Sequence, residues 1–75
     1  MRLIRDEQVL AVDEHRAPGP PTYLVQVAQL GRVVCYLDTL YDPQTMALKP
    51  AEALVEWAPG VSCWLPAYKL RPVCP

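Results

Sequence analysis

The chain has no phenylalanine and no asparagine, and only three glycines, one histidine (His15) and one serine (Ser62). Each shortage excludes something. Ser62 has no activating partner near it in sequence, so nucleophilic catalysis is not expected. Gly19 stands between two prolines and offers none of the consecutive amides that cradle a phosphate. Structural zinc takes four ligands, usually in close pairs, whereas Cys35, Cys63 and Cys74 are far from one another and from His15. A basic excess is missing too. Net charge is −1, and Arg2, Arg5, Arg16, Arg32 and Arg71 are scattered, which argues against nucleic acid. No apolar run is long enough to cross a bilayer, and Arg5, Asp6 and Glu7 interrupt what would be the apolar region of a signal peptide. The expected setting is cytoplasmic with reduced thiols, and no cofactor, metal or membrane contact is expected.

What is present points to a small β-protein. Hydrophobic residues make up 52% and charged residues 20%, too apolar a mixture for disorder. Nine prolines cut against long helices. Seventy-five residues are expected to form one domain, 1–75, with a core thin enough to need help from a disulfide, a metal or a second copy. The initiating Met1 and the Ala, Pro, Leu and Val content suggest a complete small reading frame of bacterial, phage or mobile-element origin.

Residues 8–14 (QVLAVDE) read as a short strand, and 15–22 (HRAPGPPT) as a loop. Alternation over 23–30 predicts a strand with Tyr23, Val25 and Val27 on one face, and Gly31-Arg32 is expected to end it. The next strand, 32–40, would place Val33, Cys35 and Leu37 on one face and Val34, Tyr36 and Asp38 on the other. Cys35 and Cys63 are expected to be small core residues and Cys74 exposed. Residues 41–50 suit either a long hairpin loop or one helical turn. A helix over 50–55 is compatible with propensity, but a strand from near Ala53 is preferred. Around Pro59-Gly60 a tight hairpin would pair Ala58 with Val61, Trp57 with Ser62 and Val55 with Trp64, leaving both tryptophans on one face. Pro-Gly favours a type II turn, so a longer loop or a one-residue slip is the alternative, and a slip would put the tryptophans on opposite faces. Residues 66–69 suit one 3₁₀ turn, and Pro72 limits the last strand to an edge.

Val55-Glu56-Trp57-Ala58-Pro59-Gly60 and the run from Trp64 to Pro72 (WLPAYKLRP) carry a resemblance to the SH3-like small β-barrels, Tudor-like domains among them. The resemblance implies an all-β, partly open barrel of about five strands. It also implies a choice of roles: peptide binding, reading of methylated residues, nucleic-acid binding or subunit clamping. Type II dihydrofolate reductases are SH3-like chains of similar length that build one pore from several copies. Here Ser62-Cys63-Trp64-Leu65 stands where that family's hydrogen-bonding Gln and Tyr would be, so the residues for that activity are missing.

The aromatic residues are the candidate binding groups. A methylammonium cage of the Tudor-like kind would draw on Tyr36, Tyr41, Trp57 and Trp64 with Asp38 or Glu56. The competing expectation is that a tryptophan serves the core, which has no phenylalanine to draw on. Leu24, Leu30, Val34 and Tyr36 add apolar surplus beyond what one barrel face can bury. The leading expectation is a non-catalytic module that binds protein or peptide through Trp57, Trp64, Tyr36, Tyr41, Tyr68 and Glu56, and that forms a homodimer. A Tudor-like reader of methylated lysine or arginine and a nucleic-acid-binding barrel are its rivals.

Overall fold

Alternation along residues 52–58 is regular, and in the computed structural model every second residue there points inward: Ala53, Val55 and Trp57 are buried, while Glu52, Leu54, Glu56 and Ala58 are half-buried. The structure describes residues 3–73; Arg2 and Cys74 lie outside them. The strands are β1 (Gln8–Ala11), β2 (His15–Ala17), β3 (Tyr23–Val25), β4 (Leu30–Leu37), β5 (Leu40–Asp42), β6 (Ala47–Lys49), β7 (Glu52–Ala58), β8 (Val61–Pro66) and β9 (Leu70–Pro72). One 3₁₀ turn, Ala67–Lys69, precedes β9, and no α-helix occurs among the described residues. The protein is all-β. The 3₁₀ turn and the edge position of the last strand follow the sequence pattern.

A five-stranded antiparallel sheet has the order β8-β7-β4-β1-β9, with β8 and β9 as its two edges, so it does not close on itself. Two separate ladders, β2-β3 and β5-β6, complete the fold. The first occupies what reads as loop and strand in sequence. β2 forms within the Pro-rich segment and pairs His15 with Val25. The strand expected over 23–30 stops at Val25, because Ala28 turns to positive φ and the Gln29 side chain accepts a hydrogen bond from the Gln26 amide at 2.9 Å. Gly31-Arg32 does not break the chain. It lies inside β4, and Gly31 lets the Trp57 ring cross that strand. Residues 41–50 are neither a long loop nor a helical turn: β5 and β6 pair there as a short hairpin of their own, the β5-β6 arm.

Two bulges set which residues face inward. One, between Val33 and Cys35, inserts Val34 and reverses the alternation beyond it. Val33 therefore stays in the core, while Cys35 and Leu37 turn outward and Tyr36 packs inward. The expected inward Cys35 and outward Tyr36 are thus both corrected. The second bulge, between Glu56 and Ala58, sits beside the Pro59-Gly60 turn. Ala58 pairs with Val61 as expected, but Val55 pairs with Cys63 and Leu54 with Trp64. The turn has Gly60 at φ 77°, as Pro-Gly favours, and the neighbouring bulge adds the twist a tight hairpin needs. Trp57 and Trp64 consequently lie on opposite faces. The core gathers Leu3, Val9, Val25, Val33, Val55, Trp57 and Leu70, filled out by small residues such as Ala11, Ala17 and Ala53.

A candidate binding face and a thiol–imidazole cluster

The outer face of the sheet follows from the register. Pairing places Cys35, Leu54 and Trp64 in one row across β4, β7 and β8, and Leu37, Glu52 and Pro66 in the next. Trp64 is 45% exposed and Leu37 equally so, with Leu54 half-buried beside them. Beyond Leu37 the chain passes into the arm through a crevice lined by Leu37, Asp38, Leu40, Lys49, Pro50 and Glu52. On the arm Tyr41 pairs with Leu48 on one side. Leu48 is 70% exposed and Met46, at the tip, 77%. Exposed apolar side chains therefore occur both on the outer sheet face and on the arm.

A polar row bounds the sheet face on the other side. Arg32 donates to Asp6 at 2.6 Å and to Glu56 at 3.1 Å. These two carboxylates raise its pKa, that of Glu56 most. Lys69 is raised likewise by its 2.9 Å hydrogen bond to Asp13.

The six expected binding residues are distributed as follows. Trp57 is 6% exposed and belongs to the core, and Tyr36 packs against that core. Trp64 and Tyr41 are exposed, on the outer sheet face and the arm. Tyr68 is exposed on the 3₁₀ turn, and Glu56 is tied to Arg32 on the outer face. One cage holding both tryptophans is not formed. Sequence reading missed Leu37, Leu54, Met46 and Leu48 as surface. Leu24 and Leu30 are exposed as the apolar surplus implied, whereas Val34 is half-buried.

A second grouping lies on the core side. β2 and β8 bring His15 Nε2 to 3.8 Å from Cys63 Sγ, although the residues are 48 apart in sequence. His15 lies in β2 rather than in the loop expected over 15–22; it is half-buried and meets Trp57 edge-to-face at 5.6 Å. Its Nδ1 lies 3.3 Å from the carbonyl oxygen of Asp13. Cys63 is 8% exposed, in keeping with its expected core place. Burial pushes its thiol pKa up, and the neighbouring Trp57 indole partly offsets this. The indole Nε1 is itself buried and makes no hydrogen bond of ordinary geometry among the described residues. Also among the described residues, no three His, Cys, Asp or Glu side chains converge as metal ligands, and no helix is long and apolar enough to cross a membrane.

Comparison with known protein families, with curated proteins and with solved structures finds no match.

Proposed function

We propose that this chain is a non-catalytic protein-binding module of SH3-like type whose working surface is the outer sheet face and the β5-β6 arm, and whose partner there is a second copy of the chain. The SH3-like reading is supported by the strand order and by the 3₁₀ turn before the last strand. The observation that carries the functional reading is surplus surface. An 8.4 kDa chain that exposes 5274 Å² stands above the roughly 4,600 Å² of a folded monomer of its mass. Its radius of gyration of 12.8 Å likewise exceeds the roughly 11 Å of a compact chain of this length. The excess is of the same order as the roughly 800 Å² that each partner contributes to a standard interface. Part of the exposed apolar surface lies on the outer sheet face and the arm, where Trp64, Tyr41, Met46 and Leu48 supply the side chains that anchor interfaces.

Self-pairing is further supported by the thin core and by a net charge of −1, which opposes association little. The rival readings have less behind them. A methylammonium cage would have to do without one of the tryptophans, and Arg32 is already engaged by two carboxylates rather than open to phosphate.

Hydrogen exchange at several protein concentrations tests the proposal. Amides of β5, β6 and β8 should gain protection as concentration rises, while β2 and β3 stay unchanged. Exchange that is independent of concentration across the arm would reject it.

A further inference from the structure

We infer that Cys63 Sγ and His15 Nε2 form a two-donor site for one soft monovalent cation, of the class of copper(I) or silver(I). This site is on the core side of β8 and does not depend on the proposed self-association. Four observations converge on it.

The first is span. The two donor atoms are 3.8 Å apart. Sulfur and imidazole ligands sit about 2.3 Å and about 2.0 Å from a tetrahedral zinc ion, so a similar ion would fit between them with a bent S–metal–N angle. A straighter arrangement requires the His15 ring to withdraw by only a few tenths of an ångström.

The second is orientation. With Nδ1 facing the Asp13 carbonyl oxygen at 3.3 Å, the ring proton belongs on Nδ1 and the Nε2 lone pair faces the sulfur. This is the arrangement by which an outer acceptor fixes the tautomer of a ligand histidine.

The third is the orphaned Trp57 N–H. It is buried, makes no hydrogen bond of ordinary geometry among the described residues, and belongs to a ring that meets the His15 ring edge-to-face at 5.6 Å. A neutral thiol is a poor acceptor, whereas a metal-bound thiolate is a good one. Ion binding would satisfy a donor that the free protein leaves unsatisfied.

The fourth is charge, which selects the ion. The cation displaces the thiol proton to solvent, a sulfur–metal bond replaces the S–H bond, and no electron is transferred. Thiolate, monovalent cation and neutral imidazole sum to zero, so the product is cheap to bury beside Trp57. A divalent zinc ion would leave a buried positive charge and two open positions, and no third His, Cys, Asp or Glu converges there among the described residues to fill them. Thiolate and imidazole donors also suit copper(I) by softness.

The test is a titration with silver(I) nitrate in chloride-free buffer. The protein carries Cys35→Ser and Cys74→Ser, so that Cys63 is the only thiol, and Trp64→Phe, so that Trp57 is the only indole. Trp57 emission should change and saturate at one equivalent, with one proton released per ion. His15→Ala should weaken binding tenfold or more, and zinc(II) should bind far less tightly than silver(I). An unchanged affinity in His15→Ala, or zinc(II) binding as tightly as silver(I), would overturn the inference. If His15→Ala does not fold, the ring nitrogen resonances of the intact site decide. Nε2 must shift on silver addition while Nδ1 stays in place, and a silent Nε2 rejects the site.

Discussion

Gly31 lies directly beneath the indole of Trp57: a Cβ added at Gly31 would meet Trp57 Cε3 at 2.6 Å and Val55 Cγ1 at 2.6 Å. The need for glycine here is steric, because two core side chains already occupy the space over β4. Gly31→Ala should therefore destabilise the fold by about 1–3 kcal/mol, the usual cost of overpacking. Thermal unfolding should show it as about 4–8 °C of Tm for each kcal/mol. Combining it with Trp57→Leu should cost less than the two single changes together, since the shorter side chain vacates the contact. Strict additivity in the double variant would contradict the packing described.

The two tryptophans should behave oppositely. Trp57→Ala removes a buried ring and should cost about 3–5 kcal/mol in urea unfolding, enough to threaten a domain of this size. Trp64→Ala removes an exposed ring paired with Leu54 and should cost about 1 kcal/mol or less in the monomer. Acrylamide should quench Trp64 readily in dilute solution and Trp57 poorly. Equal quenching would place both rings on one face, against the register.

Thiol chemistry should separate two of the cysteines. Cys35 is exposed by the Val33/Cys35 bulge, while Cys63 is buried and its thiol is held protonated. In dilute solution, where the proposed pairing is dissociated, an aromatic disulfide reagent should label Cys35 quickly and Cys63 only on unfolding. Fast labelling of Cys63 in a Cys35→Ser, Cys74→Ser background would contradict the placement.

The raised thiol also predicts a pH dependence. A thiol whose folded pKa lies above its unfolded one contributes stability that is complete below the unfolded value and disappears as pH rises through the folded value. Its ordinary value is 9.0, so the loss should begin near there and deepen above it. The raised Lys69 and Arg32 act in the same direction at still higher pH. Urea unfolding from neutral to about pH 10 should show falling stability, with a shallower fall in Cys63→Ala. Identical slopes in the two proteins would show that Cys63 does not titrate as described.

Much of the strand pattern is legible in the sequence because it is local. Alternation over 52–58 and the prolines at 66 and 72 announce β7, the 3₁₀ turn and the edge strand β9. The two bulges are not announced. Each inserts one residue, Val34 or Trp57, and the insertion depends on how the sheet twists against its neighbours rather than on the residue inserted. Because side chains alternate with a period of two, one inserted residue reverses every position beyond it. That is why Cys35 and Tyr36 exchange faces and why the tryptophans separate. The meeting of His15 with Cys63 is illegible for a different reason. It needs a strand inside a Pro-rich segment, and it joins residues 48 positions apart. The apolar arm was half legible: Leu40, Tyr41, Met46 and Leu48 stand in the sequence, but only the β5-β6 pairing puts Tyr41 beside Leu48 on a surface.

The central claim is that the outer sheet face and the arm hold two copies together. Solution mass by light scattering across a range of concentrations, for the native chain and for Leu48→Lys, tests it most directly. The account predicts a native chain that approaches twice the 8.4 kDa monomer mass as concentration rises, and a Leu48→Lys variant that stays monomeric while remaining folded. A native chain that stays at the monomer mass at every concentration, or a Leu48→Lys variant that dimerises as well as the native chain, would contradict it.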